Sequence, residues 1–230
     1  MTETEWLAAT HPDPMLLFLR GKATDRKLRL FIAACCRRVV QTFLDDEEEW
    51  RVDSIDVGER YADGLADEDE REKALGDASD GRPDLLWDCC TNLVLADFVK
   101  EKPDDADGID CAIGAAFEAR TVAVLDDDDL DRELVEAATQ AGLVRDIFGP
   151  LPFRKVVVPR AWRTELVETL ARAAYAEREL PAGTLDPERL GVLADALEDA
   201  GGEGDILAHL REPAPRYRGD WVLDLLLGKR

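Results

Sequence analysis

The sequence predicts an all-α protein: an irregular array of nine or ten helices with one proline-rich extended strap. Three observations carry that expectation. Apolar residues recur at spacings of three and four along most of the 230 residues, the period of a single helix face. Capping residues stand just ahead of those runs. Proline marks the joints between runs, and it clusters with valines only near 148–160.

Thr2 with Glu5 reads as a capping box ahead of Trp6 and Leu7. Asp13 followed by Pro14 reads as an N-cap with proline at the first helical position, and Gly21 as the stop. Thr24 then caps the clearest helix of the chain, with Leu28, Phe31, Ile32, Cys35, Val39 and Phe43 on one face. Arg26, Lys27, Arg29, Arg37 and Arg38 take the other positions and predict a basic outer face. Helices are expected at about 51–65 and 67–77, after the acidic run Asp45 to Glu49. Asp84 opens a strongly apolar helix through Trp87, Leu93 and Phe98. Two more are expected at about 108–124 and 129–146, the second behind aspartates 126–129, whose charge suits a helix N-terminus.

Gly149, Pro150, Pro152 and Pro159 forbid continuous helix from Phe148 to Pro159, and Val156 to Val158 favour extended backbone. The strap should hold at most one short strand. Helices are expected again at about 161–179, 187–200 and 204–211, and a last one holds Trp221 to Leu226 before Gly228. The organisation expected is an acidic front region over 1–147, the strap over 148–160 and a helical region over 161–230, all within one continuous domain.

Composition bounds the possibilities. Hydrophobic residues are 46% and charged residues 35% of the chain, enough apolar surface for a core without staples or metals. The net charge of −22 is uneven: residues 1–44 sum to +3, 45–110 to −17, 111–142 to −6 and 143–230 to −2. A pI near 4.4 lacks the electrostatic footprint of a phosphate binder, so nucleic acid is not an expected partner. No membrane span and no secretory leader can be read in it, and the cytoplasm is the expected location. Five cysteines, Cys35, Cys36, Cys89, Cys90 and Cys111, are odd in number and read as reduced thiols.

Several stretches resemble an uncharacterised, lineage-expanded planctomycetal protein family found beside repeat-companion domains. They are Glu5-Trp-Leu7, Pro14-Met-Leu16, Leu19-Arg-Gly-Lys22, Arg26-Lys-Leu-Arg-Leu30, Cys35-Cys-Arg-Arg38 and Glu59-Arg-Tyr-Ala-Asp-Gly64 near the front. Arg145-Asp-Ile-Phe-Gly149, Pro152-Phe-Arg154, Leu193-Ala-Asp-Ala-Leu-Glu-Asp-Ala-Gly201 and Trp221-Val-Leu-Asp-Leu-Leu-Leu-Gly-Lys229 carry it at the back. The resemblance covers both ends better than the middle. It implies a bacterial scaffold with a variable acidic insert, and no reaction, cofactor or ligand.

The chemistry-bearing residues form no complete motif. Adjacent cysteines on a helix point about 100° apart and do not share an ion readily, so they read as small buried residues. An EF-hand aligned on Gly108 would place Pro103 and Gly114 where carboxylates are needed. Gly21-Lys-Ala-Thr24 lacks the upstream glycine of a phosphate loop, and Ala23 stands where a hydroxyl is needed. His209 follows Asp205 by one turn and could pair with it, half of a base–orienter arrangement without a recognisable nucleophile. No catalytic, cofactor or metal residue is assigned, and no cofactor is expected.

The function expected is a non-enzymatic interaction module that binds another protein. Its candidate surface is Phe148, Phe153, Arg154, Arg160 and Trp162 in and beside the strap, aromatic and arginine anchors being common at interfaces. The alternative is an acidic inhibitor or immunity-type protein that neutralises a basic toxin or nuclease, motivated by the −17 balance over 45–110. A third reading is an enzyme with an unfamiliar site around His209 and Asp205.

Overall fold

A computed structural model describes residues 1–43, 49–79, 108–124, 130–150 and 152–229. The helix expected from Asp84, the aspartates 126–129, the run from Asp45 to Glu48 and the pair Cys89 and Cys90 lie outside the described residues. The fold is all-α. Among the described residues it has eleven α-helices, where nine or ten were expected, with one 3-10 turn and one two-stranded hairpin. The chain divides into two compact units, Met1–Arg145 and Asp146–Arg230.

The N-terminal unit contains α1 (Glu3–Ala8), α2 (Pro12–Phe18), α3 (Asp25–Phe43), α4 (Glu49–Ala62), α5 (Glu68–Ser79), α6 (Gly108–Ala123) and most of α7 (Leu130–Phe148). The capping box on α1 forms as expected, Thr2 N donating to Glu5 Oε2 at 2.7 Å and Glu5 N to Thr2 Oγ1 at 3.2 Å. The cap of α2 falls elsewhere than expected. His11 is the cap and Pro12 the first helical residue, with Asp13 N donating to His11 Nδ1 at 3.4 Å. Either proline suits the first turn, and the helix begins at the earlier one.

Helix α3 runs through the core of this unit between α4 and α6. Leu28, Phe31, Ile32, Cys35 and Val39 of its apolar stripe are buried as expected, and Cys36 is buried too. Its basic face is not an outer face. Arg37 is 1% exposed, and its guanidinium donates to Glu59 at 2.8 and 3.3 Å. Arg26 Nε donates to Asp63 Oδ1 at 2.9 Å, Arg38 grips Glu136 at 2.7 and 3.2 Å, and Arg29 lies 5.0 Å from the ring centroid of Tyr61. Helix α4 and the residue just after it supply Glu59, Tyr61 and Asp63 within about one turn, and Glu59 and Asp63 neutralise Arg37 and Arg26.

The C-terminal unit begins within α7. Beyond it come the strap, the 3-10 turn Arg160–Trp162, α8 (Glu165–Ala176), the hairpin β1 (Arg178–Glu179) and β2 (Thr184–Leu185), α9 (Pro187–Asp199), α10 (Asp205–Arg211) and α11 (Trp221–Leu227). The core is Val167 and Ala171 of α8, Leu190, Leu193 and Leu197 of α9, Ile206 and Leu210 of α10, and Val222, Leu223 and Leu226 of α11. Among its described residues the strap contains no strand. Val156 and Val158 pack on this core while Val157 is 64% exposed, the alternation of an extended chain laid over a surface.

The helix expected over 161–179 is shorter than that. Thr164 Oγ1 accepts from Val167 N at 3.2 Å and starts α8, and the antiparallel hairpin replaces its expected last turn. Gly183, at φ +71°, completes the reversal. Helix α9 closes with a Schellman motif: Gly201 N donates to Glu198 O at 2.8 Å and Gly202 N to Leu197 O at 2.7 Å. After α7 the chain turns at Gly149, φ +56°, where an added Cβ would stand 2.5–2.9 Å from three atoms of the Trp221 indole. Space and backbone conformation both demand glycine there.

Candidate functional site

Two features of the C-terminal unit could carry function: a buried polar network and an apolar groove. The network is built where α10, the Glu212–Gly219 loop and the start of α11 converge on Asp146. Asp220 caps α11, its Oδ1 accepting from Val222 N at 2.9 Å and Leu223 N at 3.0 Å. Its other oxygen, Oδ2, accepts from His209 Nε2 at 2.6 Å. The His209 ring is tilted against the Trp221 indole, centroids 5.2 Å apart. Arg216, 2% exposed, donates to His209 O at 2.9 Å and Glu212 Oε2 at 3.1 Å and contacts Asp146 directly.

Burial pushes the Asp146 carboxyl up to about 7, against the pull of Arg216. Burial also raises Asp220, but the His209 charge and hydrogen bond, the helix N–H of Leu223 and Arg216 outweigh it and hold that carboxyl below its usual range. The side chain of His209 is 11% exposed and that of Asp220 1%. The contacts of His209 with Asp220, and of Arg216 with His209 O and Asp146, join separate elements of the unit, so the cluster works as a brace. The pairing expected between His209 and Asp205 does not form. Asp205 pairs with Arg154 of the strap, and His209 turns to Asp220, eleven residues on.

The strap residues are not one exposed patch. Phe148 is buried at 4% exposure, a correction to its place on the candidate surface: it lies on the inward face of α7 with Val144 and Ile147. Phe153 is half-buried, and Trp162 packs against the core, its Nε1 3.7 Å from where a Cβ on Gly201 would stand. Arg154 and Arg160 are exposed, with Arg154 engaged by Asp205.

The groove lies between α8 and α9. Leu170, Ala173 and Val192 line it, with Asp186, Glu188 and Arg189 at one end, and its volume is about 340 Å³. Leu166, one turn earlier on α8 and outside this lining, is 60% exposed; Val192 is 54% exposed. Helix α8 thus has two apolar stripes. Val167, Ala171 and Ala174 face the core; beside them Leu170 is partly buried against the same core, Ala173 is half-buried and Leu166 is exposed. The charged end is ordered: Asp186 caps α9 through Glu188 N at 2.8 Å, and Arg189 bonds both Asp186, at 3.3 Å, and Glu177. None of these residues belonged to the expected surface. The signal for them was α8 itself, whose apolar arc is wider than one core contact requires.

Among the described residues no group of three or more His, Cys, Asp or Glu side chains could hold a metal ion, and no helix is long and apolar enough to cross a membrane. No family model matches the chain, and neither the curated proteins nor the solved structures gave a match.

Proposed function

We propose that this protein is a non-enzymatic interaction module whose contact surface is the α8–α9 groove of the C-terminal unit. The observation that carries this reading is the second apolar stripe of α8, open to solvent beside Val192. Exposed apolar surface in a formed groove between two ordered helices is the usual basis of protein contact. The residues best suited to chemistry, His209, Asp220, Arg216 and Asp146, are engaged with one another as a brace.

The acidic-inhibitor alternative needs its carboxylates displayed to a basic partner. Among the described residues of 45–110, Asp56, Glu59, Asp63, Glu68 and Glu70 are held by arginines of their own unit, while Asp53, Asp69 and Glu72 are exposed. The interaction reading is tested by capture from the native host with the full chain as bait, wild type beside Val192→Glu and Phe153→Ala. The expected result is a specific partner lost with Val192→Glu and kept with Phe153→Ala. Capture unchanged by the groove substitution would overturn it.

A further inference from the structure

We infer that the occupant of the α8–α9 groove is a basic amphipathic helix of a partner protein. Its apolar face lies on Leu166, Leu170 and Val192, and its lysines or arginines lie over the carboxylates around them. This rests on the interaction reading above and adds the chemistry of the partner.

Geometry supplies the first reason. Leu166, Leu170 and Ala173 follow one another at helical spacing and span roughly 10 Å of α8 at about 1.5 Å per residue. A stripe of two turns, with Val192 of α9 across the groove from it, can take the i, i+3, i+4, i+7 face of another helix. Leu166 and Val192 are each more than half exposed, so they are available to an incoming apolar face.

Charge supplies the second. Residues 165–199 carry nine carboxylates and three arginines, whereas the rest of the C-terminal unit, 146–164 and 200–230, carries nine basic and six acidic side chains. The acidity of this unit is therefore concentrated on the two helices that form the groove and on the hairpin between them. Glu188, at the groove's end, and Glu165, beside Leu166, are exposed, and neither has an ion-pair partner among the described residues. Glu168, Glu177, Asp186, Asp195 and Glu198 are held by Arg172, Arg189 and Arg211, so Glu165 and Glu188 are the carboxylates offered beside the apolar floor. They favour an apolar face flanked by cations and repel an acidic helix. A second copy of this chain is the weaker candidate, because its own basic helix, α3, has Lys27, Arg29 and Arg37 buried.

The test uses the full chain and a fluorescein-labelled model peptide of about 18 residues, five helical turns, with leucine along one face and lysine elsewhere. Two controls are a scrambled peptide of the same composition and a peptide with glutamate in place of lysine. The lysine–leucine helix should bind, should weaken as salt rises from about 0.05 to about 0.5 M, and should outbind the scrambled peptide by about tenfold. The glutamate peptide should not bind. Val192→Glu should weaken binding by about tenfold or more, although it adds a negative charge that would strengthen any non-specific attraction. Leu134→Glu, at an exposed leucine of α7 in the N-terminal unit, adds the same charge and should leave binding unchanged.

Equal or tighter binding by Val192→Glu, or equal binding of the scrambled peptide, would overturn the inference. So would a concentration-dependent dimer in sedimentation that Val192→Glu abolishes, since the occupant would then be a second copy. A native partner captured through the groove, with no affinity for the lysine–leucine helix, would defeat the partner chemistry and leave the interaction reading standing. Val192→Ala, checked by circular dichroism, separates lost docking from lost fold.

Discussion

The two units handle their charged residues in opposite ways. In the N-terminal unit, charge is spread through the packing: the basic face of α3 is buried and answered pair by pair from α4 and α7. In the C-terminal unit a brace gathers Asp146, His209, Arg216 and Asp220 in one place, with Arg218 and Asp224 also buried. There the apolar residues of α8 exceed what the core absorbs, and a groove is left open. A net charge of −22 therefore says little by itself about a partner. What matters is which carboxylates are already taken.

The largest expected effect lies in the N-terminal unit. Arg37→Ala leaves the Glu59 carboxylate, 3% exposed, buried without its cation and should cost about 3–5 kcal/mol. The double substitution Arg37→Met with Glu59→Leu should restore most of that, because a well-packed apolar pair can replace a buried ion pair. Urea denaturation, with hydrogen exchange read along α3, measures both. If the single and double variants lose the same stability, the pair is not what the charge of α3 is for.

Gly149→Ala comes next, at about 2–4 kcal/mol, from the Cβ forced against the Trp221 ring and the positive φ. The loss should fall on the C-terminal unit alone, as faster exchange in α11 with α3 unchanged. Equal loosening in both units would contradict their description as separate compact bodies.

The smallest effect is a slope with pH. An Asp146 titrating at about 7, against 3.8 ordinarily, keeps its proton in the folded chain after the unfolded chain has released it. Stability therefore falls as pH rises from about 4 to about 7 and is level above. The groups facing this carboxyl, Arg216, His209, Asp220 and Glu212, stay in place in Asp146→Asn, which should lack that slope. Urea midpoints of wild type and variant at pH 4.5 to 7.5 give the difference directly. Parallel curves would mean that Asp146 is ionised throughout.

How much of this was legible beforehand depended on range. Local signals held: the Thr2–Glu5 box, the Thr24 cap, the stop at Gly228 and the buried stripe of α3. Those are decided by residues within one or two turns. The inference failed where a partner came from far along the chain. The polar face of α3 is visible in its period, but Glu59 and Asp63, 22 and 37 residues beyond Arg37 and Arg26, decide that it is covered. His209 had a carboxylate at the favoured local spacing and took Asp220 instead, whose carboxylate is fixed in place because its other oxygen caps α11. Phe148 looked like an anchor beside proline and glycine, yet it is the last inward residue of α7. The groove was written in α8 as excess apolar arc, a pattern that periodicity alone reads as more core.

The most direct check on the central claim is a map of methyl chemical shifts in the full chain as the lysine–leucine peptide is added. The leucine and valine methyls of Leu166, Leu170 and Val192 should move together and saturate with the binding curve, while those of core residues Leu193 and Val222 hold still. Shifts centred instead on the strap around Val156 to Val158, or on the N-terminal unit, would contradict the assignment of the groove as the binding surface.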